Sequence, residues 1–444
     1  MHHSYRIAGI SFLASLFWAS CAATHEHLPR VIANQETESQ KQDPKQDGKK
    51  PDKAKQDSKK PDKAKQDSRK QDSRDQSSPT ASKDTTAALS AYLSSNRRQF
   101  LGRTPRMFGD WFGPGIGIAT SSQGPSMIDQ VEAFAQIPQS GRVGKIAENN
   151  SALPFDRFFV NYSYFHNAYD ASVFGPDPLE NSANTAINRY TVGMERTFLD
   201  GLASLETRFV LSDTPDLVHN PGPSGYQSFS PTLGNISLAT KFLLIENECT
   251  ALAAGLGLEL PTGGDTYIKS RSTILKMENR SAYLSPYISL LKNSANNSWF
   301  LNAFIQVECP LAGDRISGIS ALTGDTTLQG KYNSQTSLFV DVAVGRWIYQ
   351  QEKGLVTGIA TFIEGHYNGS LNEADAFNDT ISDGSFNTFY ALNPLQRQFN
   401  IVNLTAGLHI EIADQTKLRI GSVFPVSEQR AFDGEFGIQL SRYR

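Results

Sequence analysis

The chain has 444 residues, 39% of them apolar and 20% charged, with a formal net charge of -3. That length accommodates one large domain or two ordinary ones. Lysines and aspartates concentrate together in one segment and largely cancel, so the charge gives no reason to expect nucleic acid as a partner.

Residues 1–23 read as a secretory signal peptide. A weakly basic start (Arg6, with His2 and His3) precedes the apolar run Ile7 to Trp18 and the small-residue stretch Ala19-Ser20-Cys21-Ala22-Ala23. The apolar run is well short of the roughly 20 residues a spanning helix needs. Cleavage after Ala23 suits the small residues at Cys21 and Ala23. Lipoprotein-type cleavage before Cys21 calls for a compact aliphatic residue where Trp18 stands. Cys249 and Cys309 are placed on opposite faces of non-adjacent strands, too far apart for a disulfide framework.

Residues 24–86 form a charged low-complexity linker. Lys45 to Ala54 is repeated almost unchanged as Lys55 to Ala64, and apolar side chains are nearly missing. With no surface to bury, nothing offsets the backbone entropy of folding, so the segment is expected to be a disordered, extended spacer. Residues 87–153 are a periplasmic or plug-like segment. Met107 to Ile118 is rich in glycine and aromatics, and Met127 to Ile137 has weak helical character. Three fates are open to it: plugging a lumen, packing under a barrel, or adding two strands.

From residue 154 to 444 the pattern changes to period two. Ile236, Leu238, Thr240 and Phe242 alternate with Asn235, Ser237, Ala239 and Lys241. Val402, Leu404, Ala406 and Leu408 alternate likewise with Asn403, Thr405, Gly407 and His409. Twelve strands are predicted, over 157–165, 188–198, 203–212, 234–246, 249–261, 281–292, 298–309, 335–349, 355–367, 399–412, 416–425 and 433–443. No stretch after Ala23 holds 18 consecutive apolar residues, so any membrane crossing is by strands. Links between strands alternate long and short, with the link after Pro425 breaking the rhythm. That alternation is expected of an antiparallel up-and-down transmembrane β-barrel with short periplasmic turns and long outer loops. The fold class is therefore all-β, a barrel of about 12 strands preceded by the disordered linker. Tyr190, Phe198, Trp299, Trp347, Tyr349, Tyr367 and Tyr443, near strand ends, are expected to form the aromatic girdles.

Gly234-Asn-Ile-Ser-Leu-Ala-Thr-Lys-Phe242 and Gly255-Leu-Gly-Leu-Glu-Leu-Pro-Thr-Gly263 together resemble the paired strands of bacterial outer-membrane barrels of the MetA-pathway phenol-degradation or transporter-like type. Lys145 to Pro154 is similar to the lead-in to the first strand of such barrels. The resemblance covers about Lys145 to Arg444 and implies a transporter-like outer-membrane barrel. Two departures are Arg444 following Tyr443 at the end, where these barrels commonly finish on an aromatic, and Pro286 within a strand.

Parity turns a set of polar side chains to the lumen: Glu195, Glu206, Arg208, Lys241, Glu259, Gln306, Glu308, Asp341, Glu364, His366, His409, Glu411, Lys417 and Arg419. These are the candidates for solute selectivity, against the plainer reading of a mutually paired interior. Their mixed sign argues against a strongly anion- or cation-selective pore. The pairs Glu364/His366 and His409/Glu411 carry the residue types of a metal site or an acid/base dyad. Neither lies on the lipid face beside a serine, as a barrel lipase requires, and no GxSxG, HExxH or phosphate loop occurs. No catalytic site, metal or cofactor is expected. The leading reading is passive passage of a small solute through a barrel in the bacterial outer membrane, partnered by its lipid, with the linker in the periplasm. The alternatives are a non-conducting barrel that presents its surface loops, and a secreted soluble β-sandwich.

Overall fold

The computed structural model describes residues 101–110, 115–123, 131–137, 141–174, 181–219, 228–270, 273–320, 323–382, 387–393, 397–413 and 415–444. The expected signal peptide and linker lie outside these residues.

In chain order the strands are β1 (Ile116–Gln123), β2 (Val131–Ile137), β3 (Arg157–Phe174), β4 (Asn181–Phe198), β5 (Ala203–His219), β6 (Ser228–Glu246), β7 (Thr250–Leu260), β8 (Thr266–Ser270), β9 (Thr273–Glu278) and β10 (Tyr283–Asn293). They continue with β11 (Trp299–Pro310), β12 (Asp314–Ser320), β13 (Thr326–Tyr332), β14 (Ser337–Gln350), β15 (Val356–Ser370), β16 (Phe377–Ser382), β17 (Asn387–Leu392), β18 (Asn400–Ile412), β19 (Thr416–Pro425) and β20 (Gly434–Tyr443). Twelve of them make the wall, each antiparallel to its neighbour: β3, β4, β5, β6, β7, β10, β11, β14, β15, β18, β19 and β20. Pairing of β20 with β3 closes the ring, so no wall edge is left open.

Alternation decides which way each side chain points. Phe158, Met194, Phe209, Leu256, Ile305 and Ile363 stand exposed on the outside, while Phe159, Glu195, Arg208 and Glu364 are buried within. Exposed apolar side chains recur around the whole ring, far beyond what a water-facing surface carries, and so they face hydrocarbon. A soluble β-sandwich is thereby excluded. Five short turns, such as Leu199 to Leu202 with three successive positive-φ residues, gather at one end. Of the residues expected in the aromatic girdles, Phe198, Trp299 and Tyr349 are exposed at that end, while Tyr190 and Tyr367 are exposed further up β4 and β15, away from the turns. Trp347 and Tyr443 are not part of the girdles. Trp347 turns inward against His409 at 5.6 Å, and Tyr443 packs edge-on to Phe155.

At the other end the long links are themselves folded. β8, β9, β12 and β13 form one sheet, joined to β5 by a short parallel ladder, and β16, β17, β1 and β2 form another that reaches the tip of β3. Ile116, Ile118, Ile268, Leu275, Ile316 and Tyr390 build a core between these pieces. Val131–Ile137 is strand, not helix, because β1 and β3 both offer it ladder partners. β1 and β2 add no strand to the wall.

Candidate functional site

Residues 101–110 and 141–156 run inside the ring. The first leg starts at the short-turn end, where Lys417 Nζ donates to the Gly102 carbonyl at 2.8 Å and Thr104 exchanges hydrogen bonds with Asn293. It climbs past Arg419, which donates to the Met107 carbonyl, and Gln439, which donates to the Phe108 carbonyl. The second leg returns from the long-loop end, where Asn235 N donates to Gly141 O at 2.8 Å, and descends to Arg157 at the foot of β3. The legs pair with each other through Met107 and Asn150.

Wall carboxylates anchor this segment by its backbone. The amides of Phe108 and Gly109 donate to the two oxygens of Glu364, both at 2.7 Å, and those of Val143 and Gly144 converge on Glu259 Oε2. Gly109 (φ 83°) and Gly144 (φ 65°) adopt the left-handed conformation that aims successive N–H groups at one anion. Substituting Gly109 would also drive a Cβ to 2.8 Å from the Glu148 backbone. These glycines are therefore part of the anchoring.

All thirteen charged candidates from the sequence are at most 5% exposed, and none lines open water. Glu195 pairs with Arg157 and Lys241, and Glu206 with Arg157 and Arg208. Arg208 also donates to the carbonyls of Lys145 and Ile146, and Lys241 to Asn150. Gln306 brackets the second leg, accepting from Ile146 N and donating to Gly144 O. Glu259 and Glu308 hold Arg142, and Glu411 holds Arg103 and Lys417. His409 forms no hydrogen bond through either ring nitrogen and sits 4.0 Å from Glu411.

At mid-barrel, Lys145 from the second leg donates to Asp110 of the first and to Asp341 of the wall at 2.5 Å. Asp341 shares a 2.8 Å bond with His366 Nδ1, and His366 Nε2 shares one of 2.9 Å with Thr405. Asp110, Asp341 and His366 bring potential metal-ligand atoms within 4.8 Å of one another. The Lys145 ammonium is the cation these carboxylates hold.

Sequence reasoning missed Arg106, Asp110, Arg142, Lys145 and Glu148 on the internal segment. Their side-chain partners lie 13 to 337 residues away, which no local pattern encodes. Arg157, Arg189 and Glu435 share the inward parity and were findable by counting.

Height sorts the buried charges of the wall and the internal segment by sign. Toward the short-turn end lie six cations, Arg106, Arg157, Arg208, Lys241, Lys417 and Arg419, against three carboxylates, Glu195, Glu206 and Glu411. Toward the long-loop end three cations, Arg142, Lys145 and Arg189, face seven carboxylates, Asp110, Glu148, Glu259, Glu308, Asp341, Glu364 and Glu435.

No protein-family model matches the sequence, and no curated protein matches it. Among solved structures, an outer-membrane channel from Pseudomonas putida F1 is 11% identical, with 66% of this chain and 96% of that one covered and a TM-score of 0.43. The Pseudomonas putida toluene transporter TodX is 10% identical over 65% of this chain and 87% of that one, at 0.34. The β domain of a Bordetella autotransporter is 12% identical over 66% and 100%, at 0.37. At such scores the likeness assigns neither a family nor a solute.

Proposed function

We propose that this chain is a channel or transporter for a small solute in the bacterial outer membrane, transporter-like in the sense of the MetA-pathway barrels it resembles, and not an enzyme. In this conformation residues 101–110 and 141–156 hold it shut. The short-turn end faces the periplasm, where the linker lies, and the folded loops face outward.

The observation that carries the reading is the chemistry between segment and wall. Twelve strands enclose more room than their own side chains fill. What fills the remainder is a segment bound largely through hydrogen bonds and ion pairs. Polar groups exchanged for water lose little on separation, whereas an apolar plug would leave greasy walls in contact with water. The interface is of the kind that opens into a hydrated lumen. The presence of apolar patches at Met107/Ile146/Phe304 and Leu101/Leu153/Leu291 sets how far it opens spontaneously.

Planar-bilayer recording of the refolded full chain and of Leu153–Arg444 tests this. The full chain is expected to show rare, brief openings and the shortened chain larger, longer steps. No step-like current from either, at any voltage, would favour the loop-presenting barrel that does not conduct.

A further inference from the structure

We infer that the short-turn end of the lumen contains a binding site for a small oxyanion, a carboxylate or phosphate, built by Arg106, Arg419 and His409 beside Tyr443.

Arg106 is presented as a ready-made fork. Its guanidinium lies between the rings of Phe155 and Tyr443, 5.2 and 5.5 Å from their centres, and its Nε donates to Tyr443 Oη at 2.7 Å. Both Nη atoms are buried and have no hydrogen-bond partner. The carboxylate that pairs with it, Glu195, stands 3.8 Å from Nη1 and is already bonded by Arg157 and Lys241. Two fixed, parallel N–H groups match the paired oxygens of a carboxylate or phosphate.

Arg419 is within electrostatic reach of it and donates from one Nη to the carbonyl of Met107 and from the other to Asn149. Both acceptors are neutral, and its Nε has no partner. His409, the register partner of Arg419 on β18, also has both ring nitrogens unbonded while fully buried. Arg106, Arg157, Lys417 and Arg419 all bear electrostatically on Tyr443. The same half of the lumen has twice as many buried cations as carboxylates. A buried guanidinium facing only neutral acceptors is strongly disfavoured, and an anion between Arg106 and Arg419 relieves both at once.

The site is independent of whether the barrel conducts. Its test is linkage: the full chain is refolded in detergent with increasing sodium phosphate or sodium acetate. Controls contain a bulky organic sulfonate at equal ionic strength. The urea midpoint is followed by heat-modifiable gel mobility. Binding to the folded state raises the midpoint steadily with the logarithm of anion concentration. A rise with acetate identifies a carboxylate site, and one with phosphate a phosphate site. Arg106→Gln and Arg419→Gln are expected to weaken the apparent affinity at least tenfold. Arg196→Gln, on the exposed outer face of β4 near its short turn, should respond as the unaltered chain does. If a glutamine variant gives no folded band, Arg106→Lys and Arg419→Lys replace it. These keep the charge but lose the fork, and weaker binding is again expected. A midpoint no higher than in the sulfonate control, or variants that respond like the parent, overturns the inference.

Discussion

Phe159, Tyr287, Phe300 and Phe362 each lay a ring over the glycine facing them on the neighbouring strand: Gly193, Gly255, Gly345 and Gly407. Glycine weakens a strand interior because it has nothing to pack, and a ring folded across it restores the lost contact. Phe108 of the internal segment does the same from inside, over Gly421 and Gly437. The motif therefore joins segment to wall as well as strand to strand. A Cβ at position 407 would lie 2.5 Å from the Phe362 ring, so Gly407→Val should cost about 1–3 kcal/mol by overpacking. Gly365→Val, on the outward face of β15 next to the inward Glu364, has nothing nearer than Leu404 at 4.0 Å and should stay within about 0.5 kcal/mol. Urea midpoints of the two variants measure the difference, and equal midpoints would reject the ring-over-glycine account. The sequence displayed Gly255 as an inward residue. Which ring covers it depends on register, which alternation alone leaves open.

The twelve wall strands were legible because one face of each must meet hydrocarbon, a constraint that writes period two into the sequence at every wall position. Their extensions were not. β3 to β6 run to 17–19 residues, up to nine beyond the segments read from alternation, because above the membrane they pair with each other and with loop strands and no longer need an apolar face. Parity makes its own prediction. Leu256 and Val342 are 45% and 42% exposed on the lipid face, so arginine at either should cost about 2–4 kcal/mol near the midplane. One residue along, Gly257 has Ile146 of the internal segment 2.8 Å from where its Cβ would be, and Ala343 belongs to the buried cluster that includes Met107 and Ile146. Arginine there meets the segment rather than water. Gly257→Arg should therefore be tolerated better in Leu153–Arg444 than in the full chain, while Leu256→Arg should be equally costly in both. Heat-modifiable mobility of the four proteins decides it, and the opposite ordering would reject the assigned faces.

Counted by parity alone, the lumen charges mix. Strand direction reverses at every turn, so residues adjacent in a list lie at mirrored heights, and only the assembled barrel separates the signs. With the internal segment displaced, the wall retains Arg157, Arg208, Lys241, Lys417 and Arg419 against three carboxylates toward the short-turn end. Toward the long-loop end Arg189 faces Glu259, Glu308, Asp341, Glu364 and Glu435. An open lumen of this kind has a cation-attracting outer half in series with an anion-attracting inner half. When the long-loop side is positive, cations enter through the first half and anions through the second, and both accumulate where the halves meet. Reversing the voltage empties that junction of carriers, so the channel should pass less current. The asymmetry depends on wall potentials reaching the axis, which they do at 0.1 M salt, where the screening length is about 10 Å, and fail to do at 1 M, where it is about 3 Å. Leu153–Arg444 inserted from one compartment should therefore rectify at 0.1 M and approach a straight current-voltage line at 1 M. Joint Glu308→Gln and Glu435→Gln substitution, which thins the acidic half, should lower the ratio at 0.1 M. A symmetric current at low salt through uniformly oriented channels would show that the segregated charges do not govern passage.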